Sequence, residues 1–138
     1  MASGELGHDN LQRALQGFVD LLEYDSDDFP AIARDGLDNG RIQKFEYSVE
    51  LFWKYLRSCL MAEGLDVPNS PRGAIKAGLD RGFVLETEYQ PALDLIADRN
   101  TCSHIYKQSL MPGVLARLPA HARLMQAITA RLPAAPPS

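Results

Sequence analysis

In the stretch RNTCSHIY, residues 99–106, Arg99, Asn100, His104 and Tyr106 stand within eight positions of a chain that has only three histidines. These residue types suit work on phosphate. A guanidinium grips two non-bridging oxygens at once. A histidine titrating near neutrality takes up and returns a proton. An amide and a phenol orient such groups by hydrogen bonding. The plainer reading is the end of an amphipathic helix, with Arg99 as a surface base, Asn100 as a helix-ending residue and His104 as a C-terminal cap favoured by the helix dipole.

Direction bears on the choice. In a continued helix Asn100 and His104, four apart, share one face, and Arg99 and Tyr106, seven apart, share another. Arg99 and His104, five apart, point about 140° away from each other. They converge only if the helix ends between them or if a symmetric second chain supplies the missing partner. A two-fold homodimer would bring two such pairs to one groove.

The elements that must hold these residues are helical almost throughout. Leu11, Leu15, Phe18, Val19 and Leu22 predict a first helix over about 9–24, broken by the acidic YDSDDFP. Ile42, Phe45, Val49, Phe52, Trp53, Leu56 and Leu60 draw an apolar stripe along a second helix from about Arg34 to Glu63, with Gly64 as its stop. In NSPRGAIKAGLDRG, Ser70 is the expected N-cap, Pro71 the first turn and Gly82 the residue beyond the end. A fourth helix is expected from near Thr87 into RNTCSHIY, and a last one over about 108–132, kinked at Pro119. No strand pattern or repeat is visible. The expected fold is all-α, an antiparallel bundle of four or five helices forming one domain over 1–138, with 1–8 and 133–138 loose.

The composition is that of an ordinary globular chain, 46% hydrophobic and 23% charged. Its net charge of −4 gives no general attraction to nucleic acid or anionic lipid. The charge is uneven. Residues 1–40 hold nine acids and two bases, and residues 41–138 nine acids and twelve bases, so RNA would have to meet local bases in the second part. No apolar run reaches the roughly 18 residues that span a bilayer, and MASGELGHDN lacks the profile of a secretory signal. A cytoplasmic protein without membrane partners is expected.

Other features read as structural. Trp53 with Phe45 and Phe52 fits a core or dimer face better than a stacking patch. The acids at 23–28 lack the ligand order and glycine of a calcium loop. His8 falls in the loose start and His121 beside Pro119 in an exposed turn, so both are expected at the surface. Cys59 and Cys102 lack metal-type spacing and read as free thiols. There is no HExxH, GxSxG, phosphate-cradling glycine loop or paired-cysteine zinc site, and no metal or cofactor is expected.

Two segments together, RIQKFEYSVELFWKYL at 41–56 and DRNTCSHIY at 98–106, resemble the nucleotidyltransferase substrate-binding proteins. These are small helical partners of minimal nucleotidyltransferases within the HEPN superfamily. The SPR element at 70–72 fits the same spacing, and the resemblance covers roughly 35–130. In that superfamily Arg-x4-6-His marks metal-independent ribonucleases, and a toxin branch carries Arg-x4-His-x-Tyr, matched here by Arg99, His104 and Tyr106. The resemblance thus implies an endoribonuclease toxin, dimeric, with catalytic Arg99 and His104 supported by Asn100 and Tyr106. Its antitoxin would be a minimal nucleotidyltransferase that adenylylates Tyr106. One position departs from the pattern: an acidic residue is expected after the tyrosine, whereas Lys107 and Gln108 follow.

Metal-free RNA cleavage requires removing the 2′-OH proton, stabilising a dianionic phosphorane and protonating the leaving oxygen, tasks that His104 and Arg99 suit. The competing expectation is a non-catalytic subunit that presents a substrate to a nucleotidyltransferase. The complete Arg–His–Tyr set favours the first, and overall acidity and the family's description favour the second. A plain dimeric scaffold is a third reading.

Overall fold

The computed structural model describes residues 2–134, with side chains for 7–104 and 108–134. The α-helices among them are α1 (Ala2–Leu22), α2 (Ala31–Ala62), α3 (Pro71–Arg81), α4 (Glu86–Cys102) and α5 (Met111–Arg131). Short 3-10 turns at Ser26–Asp28 and Ile105–Leu110 join α1 to α2 and α4 to α5. No strand occurs among the described residues, and the all-α bundle expected from periodicity is the fold.

The apolar stripe of α2 is the spine of the core. Phe45, Val49, Phe52, Leu56, Cys59 and Leu60 are fully buried, each three or four residues from the next except the final pair. Residue pairs across the interfaces fix the directions. Phe18 packs on Phe45 and His8 on Tyr55, so numbers rise along α1 as they fall along α2 and the two run antiparallel. Asp98 meets His121 and Glu88 meets Arg131, making α4 and α5 antiparallel as well. Phe45 touches His121 and Tyr55 donates to the Pro133 carbonyl, so α5 runs parallel to α2.

The local signals at α3 act as their chemistry dictates. Ser70 Oγ accepts from Gly73 N–H at 3.1 Å, and Pro71 occupies the first turn, where its missing N–H costs nothing. Gly82, at φ 90°, closes the helix in the left-handed region. Gly64 does the same after α2 at φ 86°.

The start and the tail depart from expectation. Residues 2–8, expected to be loose, form the first turns of α1, and His8 is only 8% exposed. The reason is tertiary: Gly7 lets α1 lie close on Tyr55, where an added Cβ would sit 3.2 Å from the ring. At the other end Pro133 is tied to Tyr55, while Met1 and residues 135–138 lie outside the described residues. Pro119 lies within α5 and does not end it. Truncating the spine tests this core: Phe52→Ala should destabilise the protein by about 3–5 kcal/mol in equilibrium urea unfolding.

Candidate functional site

Arg99 lies in the last turn of α4, where its positive charge suits the helix dipole. Its Nη2 donates to Glu50 Oε1 on α2 at 2.6 Å. The same oxygen accepts from Trp53 Nε1 at 3.2 Å, and Lys54 Nζ lies 3.3 Å from Glu50 Oε2. Burial acts to raise the Glu50 carboxyl, but the Trp53 hydrogen bond, Arg99 and Lys54 together hold it below the ordinary carboxylate range. One helical turn earlier Glu46 goes the other way: burial lifts its carboxyl, and Arg99 offsets only part of that lift. Two carboxylates four residues apart, pushed in opposite directions, thus flank one guanidinium. The Arg99 Nε–H is buried and finds no acceptor among the described residues.

α4 ends at Cys102 rather than running through RNTCSHIY. Ser103 and His104 N–H tighten onto the Asn100 and Thr101 carbonyls, at 3.2 and 3.1 Å, and His104 continues in extended backbone at φ −119°, ψ 104°. The helix therefore stops between Arg99 and His104, and helical periodicity no longer holds them on divergent faces. Asn100 and His104 are exposed and Arg99 is half-buried. The backbone of Tyr106 lies in the following 3-10 turn, and its side chain lies outside the described residues. Cys102, a free thiol beside this site, is pushed up to about 11 by burial and by the Glu46 and Asp98 charges, which outweigh Arg99.

Immediately before Arg99, Asp98 builds an arrangement that sequence reasoning missed. Arg117 grips its carboxylate with two parallel bonds, Nε to Oδ2 at 2.8 Å and Nη2 to Oδ1 at 2.9 Å. His121 Nε2 lies 2.7 Å from the same Oδ2, and the imidazole stacks on Phe45 with centroids 5.4 Å apart. His121, expected in an exposed turn, is 6% exposed inside α5. Burial alone would raise Asp98, but the bonds from Arg117 and His121 and the charges behind them leave its carboxyl below the usual range. The pairing spans 19 and 23 positions between two helices, so no local spacing announces it. Glu46 and Glu50 did carry a signal: acids four apart, on one face of α2 beside its apolar stripe.

Among the described residues, no cluster of three or more His, Cys, Asp or Glu side chains is disposed to hold a metal. No helix there is long and apolar enough to cross a membrane.

The model of one family, described as nucleotidyltransferase substrate binding protein like, matches residues 6–134, and the chain belongs to that family. Among solved structures, it is similar to a crystal structure of a protein from Thermus thermophilus. The two are 32% identical over 88% of this chain and 97% of that one, with a TM-score of 0.75. No curated protein matches the chain.

The Asp98 arrangement makes a testable contribution to stability. A carboxyl held below its unfolded-state value stabilises the fold fully above that value, near 3.9, and progressively less as pH falls through the lower folded one. Stability should therefore fall as the solution is acidified below about pH 4. Asp98→Asn should cost about 1.5–3 kcal/mol at neutral pH, the range for hydrogen bonds to charged groups. Its unfolding midpoint should also respond less to acid than that of the parent.

Proposed function

We propose that the protein is a metal-independent endoribonuclease toxin of the HEPN type, working as a homodimer and silenced by a partner minimal nucleotidyltransferase. The observation that carries this reading is Arg99. Its guanidinium is held in place by Glu50, yet it keeps one buried N–H without an acceptor among the described residues. The side chain is 28% exposed, and a guanidinium ordered in advance beside the end of a helix is what a phosphate oxygen developing charge requires. The buried N–H means that Glu50 does not use the group's full donor capacity. The termination of α4 at Cys102 supports the reading further, because it removes the helical geometry that would point His104 away from Arg99.

In the proposed reaction the 2′-hydroxyl attacks the adjacent phosphorus as His104 takes its proton. Arg99 stabilises the phosphorane, and the imidazolium so formed returns its proton to the departing 5′-oxygen. The products are a 2′,3′-cyclic phosphate and a 5′-hydroxyl end. Asn100 orients the phosphate or the imidazole, and Tyr106 hydrogen-bonds the substrate. Silencing is transfer of AMP from ATP to the Tyr106 oxygen by the partner, with release of pyrophosphate. The added anion fills the groove and repels RNA.

A second reading, a non-catalytic subunit that presents substrate to a nucleotidyltransferase, is favoured by one observation. The Glu50–Arg99 pair already neutralises the arginine within a single chain. Cleavage of RNA in EDTA separates the two. Protein shown by intact mass to carry no AMP should cut, His104→Ala and Arg99→Ala should each lose at least about a hundredfold in rate, and light scattering should give a dimer. Uncut tRNA and mRNA with an unmodified, dimeric protein would leave the binding subunit as the function.

A further inference from the structure

On the outer face of α2, next to the Arg99–Glu50 pair, a groove of about 560 Å³ is lined by Trp53, Lys54, Arg57, Ser58, Met61 and, from the loop before α3, Asn69. That volume falls in the range of small-molecule sites. We infer that this groove binds a nucleotide, with its phosphate on Lys54 and Arg57 and its base against the apolar floor.

The chemistry of the walls makes the match. Arg57 spends Nε and Nη2 on main-chain carbonyls, donating to Val67 O at 3.1 and 3.0 Å and to Pro68 O at 3.2 Å. These bonds pin the loop that forms the far wall. Because the acceptors are neutral, they leave the Arg57 charge uncompensated, and no carboxylate among the described residues pairs with it. Lys54 is 63% exposed and shares Glu50 with Arg99, so that carboxylate does not serve Lys54 alone. An exposed lysine pair of that kind is weak enough to be traded for a phosphate.

The floor differs from the rim. Met61, 45% exposed, is soft and adaptable, and the nearly buried Trp53 lines the same groove two turns earlier on α2. No acid lines the groove. Ser58 commits its hydroxyl proton to Tyr55 O at 2.7 Å, which leaves its oxygen as an acceptor for an exocyclic amino group. Asn69 adds a donor and an acceptor. Cations at one edge, an apolar floor and a small set of neutral polar groups fit a phosphate joined to a heterocycle better than a bare anion or a wholly apolar ligand. That nucleotide is either free or one residue of an RNA strand that continues past Arg99.

Trp53 is the chain's single tryptophan, and its emission reports on this groove and on the Glu50 carboxylate it shares with Arg99. The titration is therefore repeated in Arg99→Ala, where the change that persists belongs to the groove. The probes are ATP, AMP and a short 2′-O-methyl oligoribonucleotide, which resists cleavage and so tests binding whether or not the protein is a nuclease. A saturable emission change is expected, weakened about tenfold by Lys54→Glu and unaltered by Lys76→Glu, the same charge change on α3. Mononucleotides as tight as the strand identify free nucleotide as the ligand, and binding of the strand alone identifies RNA. The inference is overturned if no probe gives a saturable change. Equal affinity in Lys54→Glu, or equal loss in Lys76→Glu, overturns it too.

Discussion

A carboxylate buried between helices loses several kcal/mol of hydration unless charge and hydrogen bonds replace the water, and Asp98 meets that requirement with a guanidinium and an imidazole. Both partners stand on α5, and His121 rests on Phe45 of α2, so three helices are fixed to one another at the point where α4 comes to its end. Arg99 is the next residue. Its position is therefore set by the anchoring of its neighbour as much as by its own bond to Glu50.

The second constraint is competition for Glu50. One oxygen takes hydrogen bonds from Arg99 and Trp53, and the other attracts Lys54. A resting chain so arranged keeps Arg99 ordered and its charge balanced, and an arriving phosphate must compete with a carboxylate held by three donors. Order before binding lowers the entropy cost of recognition, while the carboxylate sets a threshold that weak anions do not pass. Glu46 lies on the same side, its carboxyl raised by burial and partly lowered again by Arg99. The proposed nuclease and the proposed nucleotide groove meet at this carboxylate, since Lys54 belongs to both surroundings.

Local patterns in the sequence predict most of the helices, for a physical reason. The stripe on α2, the Ser70–Pro71 start of α3 and the glycines at 64 and 82 act within a few residues of themselves, and each does what its spacing implies. What depends on distant partners is not legible. His8 and His121 have no partner nearby in sequence, which points to the surface, yet tertiary packing buries both. The end of α4 is only half legible: Asn100 and His104 read as ending residues, but no glycine or proline stands between Arg99 and His104 to fix the position. Of the candidate site, the residue types in RNTCSHIY are visible from the start, while the Glu50 pairing and the Asp98 anchor are not. Glu50 lies within the quoted segment 41–56, but nothing in one sequence assigns it to Arg99.

The proposed chemistry rests on Arg99, whose buried Nε–H has no acceptor among the described residues. Its most direct test is the Arg99 Nε–H resonance in a nitrogen–proton correlation spectrum of His104→Ala protein, assigned by its loss in Arg99→Lys and followed as an uncleavable 2′-O-methyl oligoribonucleotide is added. The expected result is a saturable shift of that resonance as the guanidinium takes up a phosphate. A resonance that stays in place while the oligonucleotide binds elsewhere would contradict the assignment of Arg99 to phosphate and leave it a structural partner of Glu50.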